Sequence, residues 1–264
     1  LGPVQWETYL TWTLNRNEVK EVSAEYTDPE TGEKYSMKDA MNLGGFNGTR
    51  NTIVKGGNLT DIYVRTLATG EHGEIIVDPQ DKSIKVDANR YVNAGHSTPN
   101  YNLSWGNSFS WKGFNLGFLF NFRQGGIVVS LTESLMDAYG SSKTSADARD
   151  AGGVVINGIG GYNPQTYYQT VASTTQTIAS QYVYSATNLR LQELSFGYDI
   201  PITKYVKWIK GLNLSFVAHN LWMLYCKAPF DPELTAYSGT YNQGIDFFMQ
   251  PSSRSMGFSA KVKF

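Results

Sequence analysis

Apolar and polar residues alternate with a period of two in several stretches of about 10 residues, the pattern of β-strands with one apolar face. From 114 to 123, Phe114, Leu116, Phe118, Phe120 and Phe122 share one face, opposite Asn115, Gly117, Leu119, Asn121 and Arg123. Just before it, Tyr101, Leu103, Trp105, Phe109 and Trp111 oppose Asn102, Ser104, Gly106, Ser108 and Ser110. Only Lys112-Gly113 separates the two, which predicts a tight hairpin turn. Near the start, Val4, Trp6, Leu10, Trp12 and Leu14 alternate with Gln5, Glu7, Tyr9, Thr11 and Thr13. Leu212, Leu214, Phe216 and Ala218 alternate with Asn213, Ser215, Val217 and His219. The chain closes with Met256, Phe258, Ala260, Val262 and Phe264 facing away from Gly257, Ser259, Lys261 and Lys263. Between Asn188 and Ile200 the pattern changes phase, from Leu189 and Leu191 to Leu194, Phe196, Tyr198 and Ile200, which predicts a β-bulge near Gln192-Glu193. A short echo, Lys112-Gly113-Phe114-Asn115-Leu116-Gly117-Phe118 and Lys210-Gly211-Leu212-Asn213-Leu214-Ser215-Phe216, opens two of these strands.

The pattern therefore predicts an all-β, antiparallel fold with strands near 4–14, 101–111, 113–123, 188–200, 211–220 and 254–264. About 10 residues is the length a tilted strand needs to cross a bilayer, and five large apolar residues on one face suit lipid. Connections alternate between short (112–113, 201–210) and long (15–100, 124–187, 220–253). Transmembrane barrels show this asymmetry, with short periplasmic turns and long extracellular loops. On that reading 4–14, 113–123 and 211–220 run outward, the other three strands run inward, and the C-terminus is periplasmic. The smallest bacterial membrane barrels have about eight strands, and an open sheet edge in hydrocarbon costs several kcal/mol per unpaired group. Six strands are thus expected to be a piece of a larger barrel, consistent with a start at Leu1-Gly2-Pro3 that carries neither Met nor leader. The rival is a secreted all-β carbohydrate-binding module, since a soluble sandwich also alternates.

Composition narrows the classes further. Lys and Arg total 22 against 23 Asp and Glu, so no basic footprint points to nucleic acid. No run of 18 apolar residues exists to form a membrane-spanning helix, which leaves strand-built barrels untouched. Cys226 is the single cysteine, so there is no internal disulfide. His72, His96 and His219 are scattered without zinc-site spacing, and the Gly-rich pieces match no phosphate loop. No catalytic constellation, metal site or cofactor motif emerges, and the chain is not read as an enzyme. Asp231-Pro232-Glu233 reads as a turn in preference to an acid pair or a calcium ligand.

Several stretches carry a family resemblance. Gly95-His96-Ser97-Thr98-Pro99-Asn100-Tyr101 leads into Asn107-Ser108-Phe109-Ser110-Trp111-Lys112-Gly113-Phe114 and then Gln124-Gly125-Gly126. In order follow Ala186 to Tyr198 (ATNLRLQELSFGY), Asn220-Leu221 with Asp231-Pro232-Glu233, and Gly244-Ile245-Asp246 with Pro251 to Arg254 and the closing strand. Together these resemble the C-terminal barrel portion of SusC/RagA-like TonB-dependent outer-membrane transporters, continuously from about residue 95 and more thinly before it. The resemblance implies a barrel of about 22 strands, of which this chain would supply the last six. It also implies a plug domain and TonB box outside this chain, energy from TonB–ExbB–ExbD, a SusD-like surface lipoprotein acting as a lid, and glycans or peptides as substrate.

Candidate site residues follow from these faces. Asn115, Asn121, Arg123 and His219 are expected to face the wet barrel lumen. Tyr101, Trp105, Trp111, Tyr198 and Trp208 fall near predicted strand ends, where amphipathic rings suit a membrane interface. Tyr162, Tyr167, Tyr168, Tyr182 and Tyr184 are expected to pack the loops. Trp222, Tyr225, Tyr237, Tyr241, Phe247 and Phe248 are candidates for contact with ligand or lid. Phe258, Val262 and Phe264 resemble the C-terminal insertion signal of outer-membrane barrels.

Overall fold

Each alternating stretch becomes a strand. The computed structural model describes residues 4–22, 26–27, 30–32, 34–35, 40–80, 82–234 and 243–264. In it β1 (Gln5–Thr13), β2 (Tyr101–Trp111), β3 (Phe114–Gln124), β4 (Asn188–Ile200), β5 (Gly211–Cys226) and β6 (Ser255–Lys263) form one six-stranded antiparallel sheet in chain order. The register aligns like with like. One row runs Trp6, Phe109, Leu116, Phe196, Phe216, Phe258, and its neighbour runs Gln5, Ser110, Asn115, Gly197, Ser215, Ser259. The sheet thus has an apolar face and a polar face along its whole width.

The bulge has a definite place. Leu191 pairs with Phe120 and Glu193 with Leu119, so Gln192 is one residue extra in β4. Without it Leu189 and Leu191 would turn to the polar face. On the other side Glu193 pairs with His219 and Leu191 with Trp222, so β5 also carries an extra residue, at Asn220, whose φ is +56°.

The apolar face is uncovered. Trp6, Leu10, Trp12, Phe196 and Phe258 are 50–90% exposed, and each such side chain left in water forgoes roughly 1.5–3 kcal/mol. Several polar atoms on it are paired within the sheet. The Trp6 indole donates to Asn107 Oδ1 at 3.1 Å, the Trp105 indole to Thr8 Oγ1 at 3.0 Å, and Thr8 Oγ1 to the Gly106 carbonyl at 3.2 Å. Such a face suits a solvent that cannot hydrogen-bond. Trp105 lies in mid-strand, so the expectation that it sits at a strand end is corrected. At the tight-turn end Trp111 and Phe114 face each other in the ladder, Phe114 meets Tyr198 at 4.6 Å between ring centroids, and Trp208 stacks on Phe264 at 5.6 Å.

Lys112 and Gly113 both have positive φ, as the two-residue hairpin requires. The echoed motif also acquires a chemical meaning there. Asn115 Nδ2 donates to Asp199 Oδ2 at 2.8 Å and Asn213 Nδ2 to Asp199 Oδ1 at 2.7 Å. The two copies supply one asparagine each to opposite oxygens of a carboxylate on the strand between them.

At the other end of the sheet, the long connections are not independent loops. They hold a four-stranded sheet (Ala40–Asn42, Thr49–Val54, Asp61–Leu67, Val86–His96) and helices α1 (Leu131–Ala138), α2 (Lys143–Asp150) and α3 (Pro164–Val171). A small sheet of Ile127–Ser130, Val183–Ser185 and Ile245–Asp246 joins the second and third connections. The all-β expectation therefore holds for the sheets but missed three eight-residue helices. One core serves all three connections: Ile62, Val64 and Leu67 from the first, Leu131, Val171, Ile178 and Tyr182 from the second, Ile245 from the third. Ser130 Oγ ties them further, accepting from the Glu133 N–H as helix cap and donating to Asp246 Oδ2 at 2.7 Å. Asn157 bonds both the N–H and the carbonyl of Ile75. No helix among the described residues is long and apolar enough to cross a membrane.

Because the core is shared, Ile178→Ala is expected to cost about 2–5 kcal/mol and to raise proteolytic cleavage in all three connections together. Cleavage confined to 124–187, followed by mass spectrometry of the fragments, would contradict the shared core.

Candidate functional site

Where the polar face meets the insertion formed by these three connections and their shared core, four charged side chains converge. Arg123 and Arg190 come from the ends of β3 and β4, and Asp231 and Glu233 from the segment after β5. Alternation places Arg190 on the polar face beside Asn188, two positions away. Its guanidinium donates to Asn220 Oδ1 at 2.9 Å and Asp231 Oδ1 at 2.8 Å, with Glu233 Oε2 at 3.2 Å. Asn188 Nδ2 reaches Glu233 Oε1 at 3.2 Å. Arg123 donates to the Ser97 carbonyl at 2.7 Å, and so ties β3 to the first connection. Ser252 Oγ donates to Asp231 Oδ2, and Asn220 Nδ2 to the Ser253 carbonyl at 3.5 Å. Both ends of the third connection are thus fastened to the sheet through Arg190 and the bulge at Asn220.

Arg190 is 5% exposed. Desolvating a guanidinium costs several kcal/mol, repaid only by well-placed carboxylates. Burial by itself would push the Asp231 carboxyl up. The hydrogen bonds from Ser252 Oγ, the Glu233 N–H and Arg190 outweigh it and hold Asp231 below the ordinary carboxylate range. The carboxylates of the Asp-Pro-Glu turn are therefore engaged by arginine, and no cluster of three metal-ligating side chains occurs among the described residues. The geometry is that of a clamp.

Glycine lets the strands and the insertion meet closely. Gly126 has φ +81°, and a Cβ there would stand 2.9 Å from the Ser97 carbonyl. Gly244 has φ +79°, and its Cβ would stand 2.7 Å from Ser97 Cβ. Beside the clamp lies a cavity of about 280 Å³, lined by Arg190, Asn220, Trp222, Phe230, Ser252 and Arg254 among others.

The residues singled out in the sequence fall into distinct places. Asn115, Asn121, Arg123 and His219 share the polar face through the ladder. Asn121 Oδ1 accepts from Ser104 Oγ at 2.9 Å, and His219 Nδ1 lies 3.9 Å from Glu193 Oε1. Trp222 and Tyr225 are not loop residues: β5 runs on to Cys226, and they pair with Leu191 and Leu189, extending the apolar rows. The strand boundary at 220 was misread because the bulge breaks the alternation there. Phe247 packs on the insertion core and against Phe46 at 5.2 Å, while Phe248 is 62% exposed. Tyr237 and Tyr241 lie outside the described residues. Phe258, Val262 and Phe264 stand exposed at the β6 edge of the sheet. Tyr168 and Tyr182 are buried, with the Tyr182 hydroxyl donating to Asp137 Oδ2 at 2.9 Å. Burial first, and then the Asp137 charge, raises the Tyr182 phenol above its usual value. Arg190, Asn188 and Asp199 were missed. A charge on the polar side of a strand was the available signal, but partners some 40 residues on are not readable from alternation.

With this geometry in place, the comparisons with known proteins can be set beside it. No protein-family model matches the chain. It is 24% identical over 277 residues to TonB-dependent receptor P3 of Formosa agariphila, covering 98% of this chain and 27% of that protein. Its fold is similar to a chain of the RagAB peptide transporter, with TM-score 0.56, 18% identity, and coverage of 97% of this chain and 26% of that one. The RagAB peptide importer in its open-open state gives TM-score 0.59 at 17% identity, covering 98% of this chain and 27% of that one. The chain resembles TonB-dependent transporters of the SusC/RagA type along nearly its whole length, and spans about a quarter of the length of these relatives.

Two outcomes test the clamp. Arg190→Ala leaves two carboxylates facing each other without their cation and is expected to destabilise the seam by about 3–5 kcal/mol. The check is faster amide exchange in 226–234 than elsewhere in the protein. Asp231 has a depressed folded pKa, so its contribution is complete above the unfolded carboxylate value and is lost as pH falls through the folded one. Asp231→Asn should remove that acid-side loss from a pH titration of seam exchange.

Proposed function

We propose that this chain is the C-terminal barrel portion of a TonB-dependent importer in the outer membrane of a Gram-negative bacterium, and that it has no catalytic role. The observation that carries this reading is the apolar row crossing all six strands, backed by a polar face and bounded by strands that pair on one side only among the described residues. Such a sheet satisfies its edges and its apolar face together when it is built into a closed barrel in lipid. The likeness to the TonB-dependent receptor and to the RagAB chains supports the same placement.

In this reading the barrel has about 22 strands, and the six described here carry its C-terminus to the periplasmic side. The polar face, with Asn115, Asn121, Arg123 and His219, lines the lumen against a plug supplied by another part of the protein. Trp222 and Tyr225 belong to the outer interface belt. Phe248 is the described aromatic best placed to meet ligand or lid, because Phe247 is taken up by the core. A SusD-like lipoprotein covers the insertion, TonB–ExbB–ExbD acts through the plug, and the cargo is a peptide or a glycan. The RagAB relatives, described as peptide transporters, favour peptide.

The deciding experiment is the intact mass and membrane partition of the natural polypeptide. A detergent-extracted protein several times longer than this chain, with a plug-like N-terminal region, is expected. A detergent-free soluble protein of this chain's mass would return the reading to the secreted binding module. Within the barrel, Phe196→Arg at the centre of the apolar row should cost roughly 2–4 kcal/mol, seen as a lower urea midpoint for the folded band on unheated gels. Ser195→Arg on the opposite face should have little effect on that midpoint.

A further inference from the structure

The four-stranded sheet of the first connection has two faces. Ile62 and Val64 turn one of them into the shared core. Alternation puts Tyr63 and Arg65 on the other, where Arg65 pairs with Tyr91 in the ladder and Arg50 with Tyr63. Both guanidiniums gather on one ring: Arg50 Cζ lies 3.7 Å from the Tyr91 ring centroid and Arg65 Cζ 5.4 Å. Arg65 is 8% exposed. Its Nη2 donates to the Tyr91 hydroxyl at 3.0 Å and its Nε to the Ala88 carbonyl at 3.2 Å, while Nη1 is buried and meets no acceptor. Arg50 is half-buried, and no carboxylate lies within ion-pair distance of either arginine among the described residues. The only acidic residues of the four strands are Asp61 and Asp87. They accept instead from the backbone N–H groups of Asn58 and Asn89, each at 2.9 Å.

A ring face offsets part of the cost of a buried cation. Two cations on one ring repel each other, however, and a buried donor without an acceptor adds to the cost. The complement to this arrangement is a carboxylate, whose opposite charge and two coplanar oxygens serve both guanidiniums at once. We propose that this face is a docking surface for an acidic side chain from another connection of the same, longer polypeptide. The inference rests on the barrel reading. There the first connection springs from β1, the edge strand, so its neighbour on that side of the rim comes from outside this chain. The chain spans about a quarter of the length of its relatives, which leaves ample sequence to supply that neighbour. A carboxylate tethered in this way is present at high effective concentration, an advantage that a free anion lacks.

The test uses the full-length protein in detergent, with Arg50→Lys and Arg65→Lys made singly to place an amine in the site. A water-soluble carbodiimide joins an amine to a carboxylate in direct contact, and peptide mass spectrometry locates the bond. The expected result is a link from position 50 or 65 to an Asp or Glu of the same polypeptide outside residues 1–264. If Arg65→Lys disturbs the insertion, the half-buried Arg50 decides, with an unchanged proteolytic pattern as the check on folding. A link to Asp61, Asp87 or another acid of this chain, a link to a co-purified partner or cargo, or no link from folded protein overturns the docking surface and leaves the barrel standing. A protein of this chain's mass that is soluble without detergent overturns both.

Discussion

Register is the constraint on which the rest of this structure depends. With a side-chain period of two, a slip of one residue in any strand would exchange its faces and put charges such as Arg123 or Lys261 among phenylalanines. The ladder avoids this across six strands, and where β4 would have drifted out of phase, Gln192 is bulged out to restore it. The hairpin at Lys112-Gly113 and the two asparagines on Asp199 pin the register at one end. The Arg190 clamp pins it at the other. The bulge is therefore more than a local irregularity: it keeps Leu191 in its apolar row and, on the facing strand, sets Asn220 where Arg190 can bond it.

That coupling also explains the insertion. Three segments far apart in sequence leave the sheet at one end, and their buried side chains meet in one core. Ile62, Ile178 and Ile245, each fully buried, come one from each segment. Packing them into one core offsets the chain entropy of all three at once. The buried ion pairs at the seam add little net stability by themselves. What they supply is position, because a buried guanidinium with two carboxylates has few alternative arrangements of comparable energy.

The sheet was legible in the sequence because alternation is a local property. Phe114 to Phe122 or Met256 to Phe264 each declare a strand without reference to anything else, and the phase change before Leu194 declares the bulge. The end of β5 was not legible, since the same bulge scrambles the alternation just where Trp222 and Tyr225 begin. Helices α1, α2 and α3 were missed because eight-residue elements with Ser and Thr caps resemble polar loops in composition. The clamp was half visible. Asp231-Pro232-Glu233 was noticed as a turn, but its partner Arg190 sits on another strand, and only the fold brings the two within 2.8 Å.

The shared core and the clamp together limit how this part of the molecule could move. A loop that opens alone must tear apolar side chains from a core to which its neighbours also contribute. A rotation of the whole insertion about the glycines at 125 and 126, next to the end of β3, would keep that core intact. It would strain the seam instead, where Arg190 and Arg123 hold the sheet to the third and first connections. The energetics therefore favour an insertion that behaves as one body, with its freedom set by a few charged contacts at the rim and not by the length of its loops. Loop length, the feature most evident in the sequence, is the feature that says least about motion here.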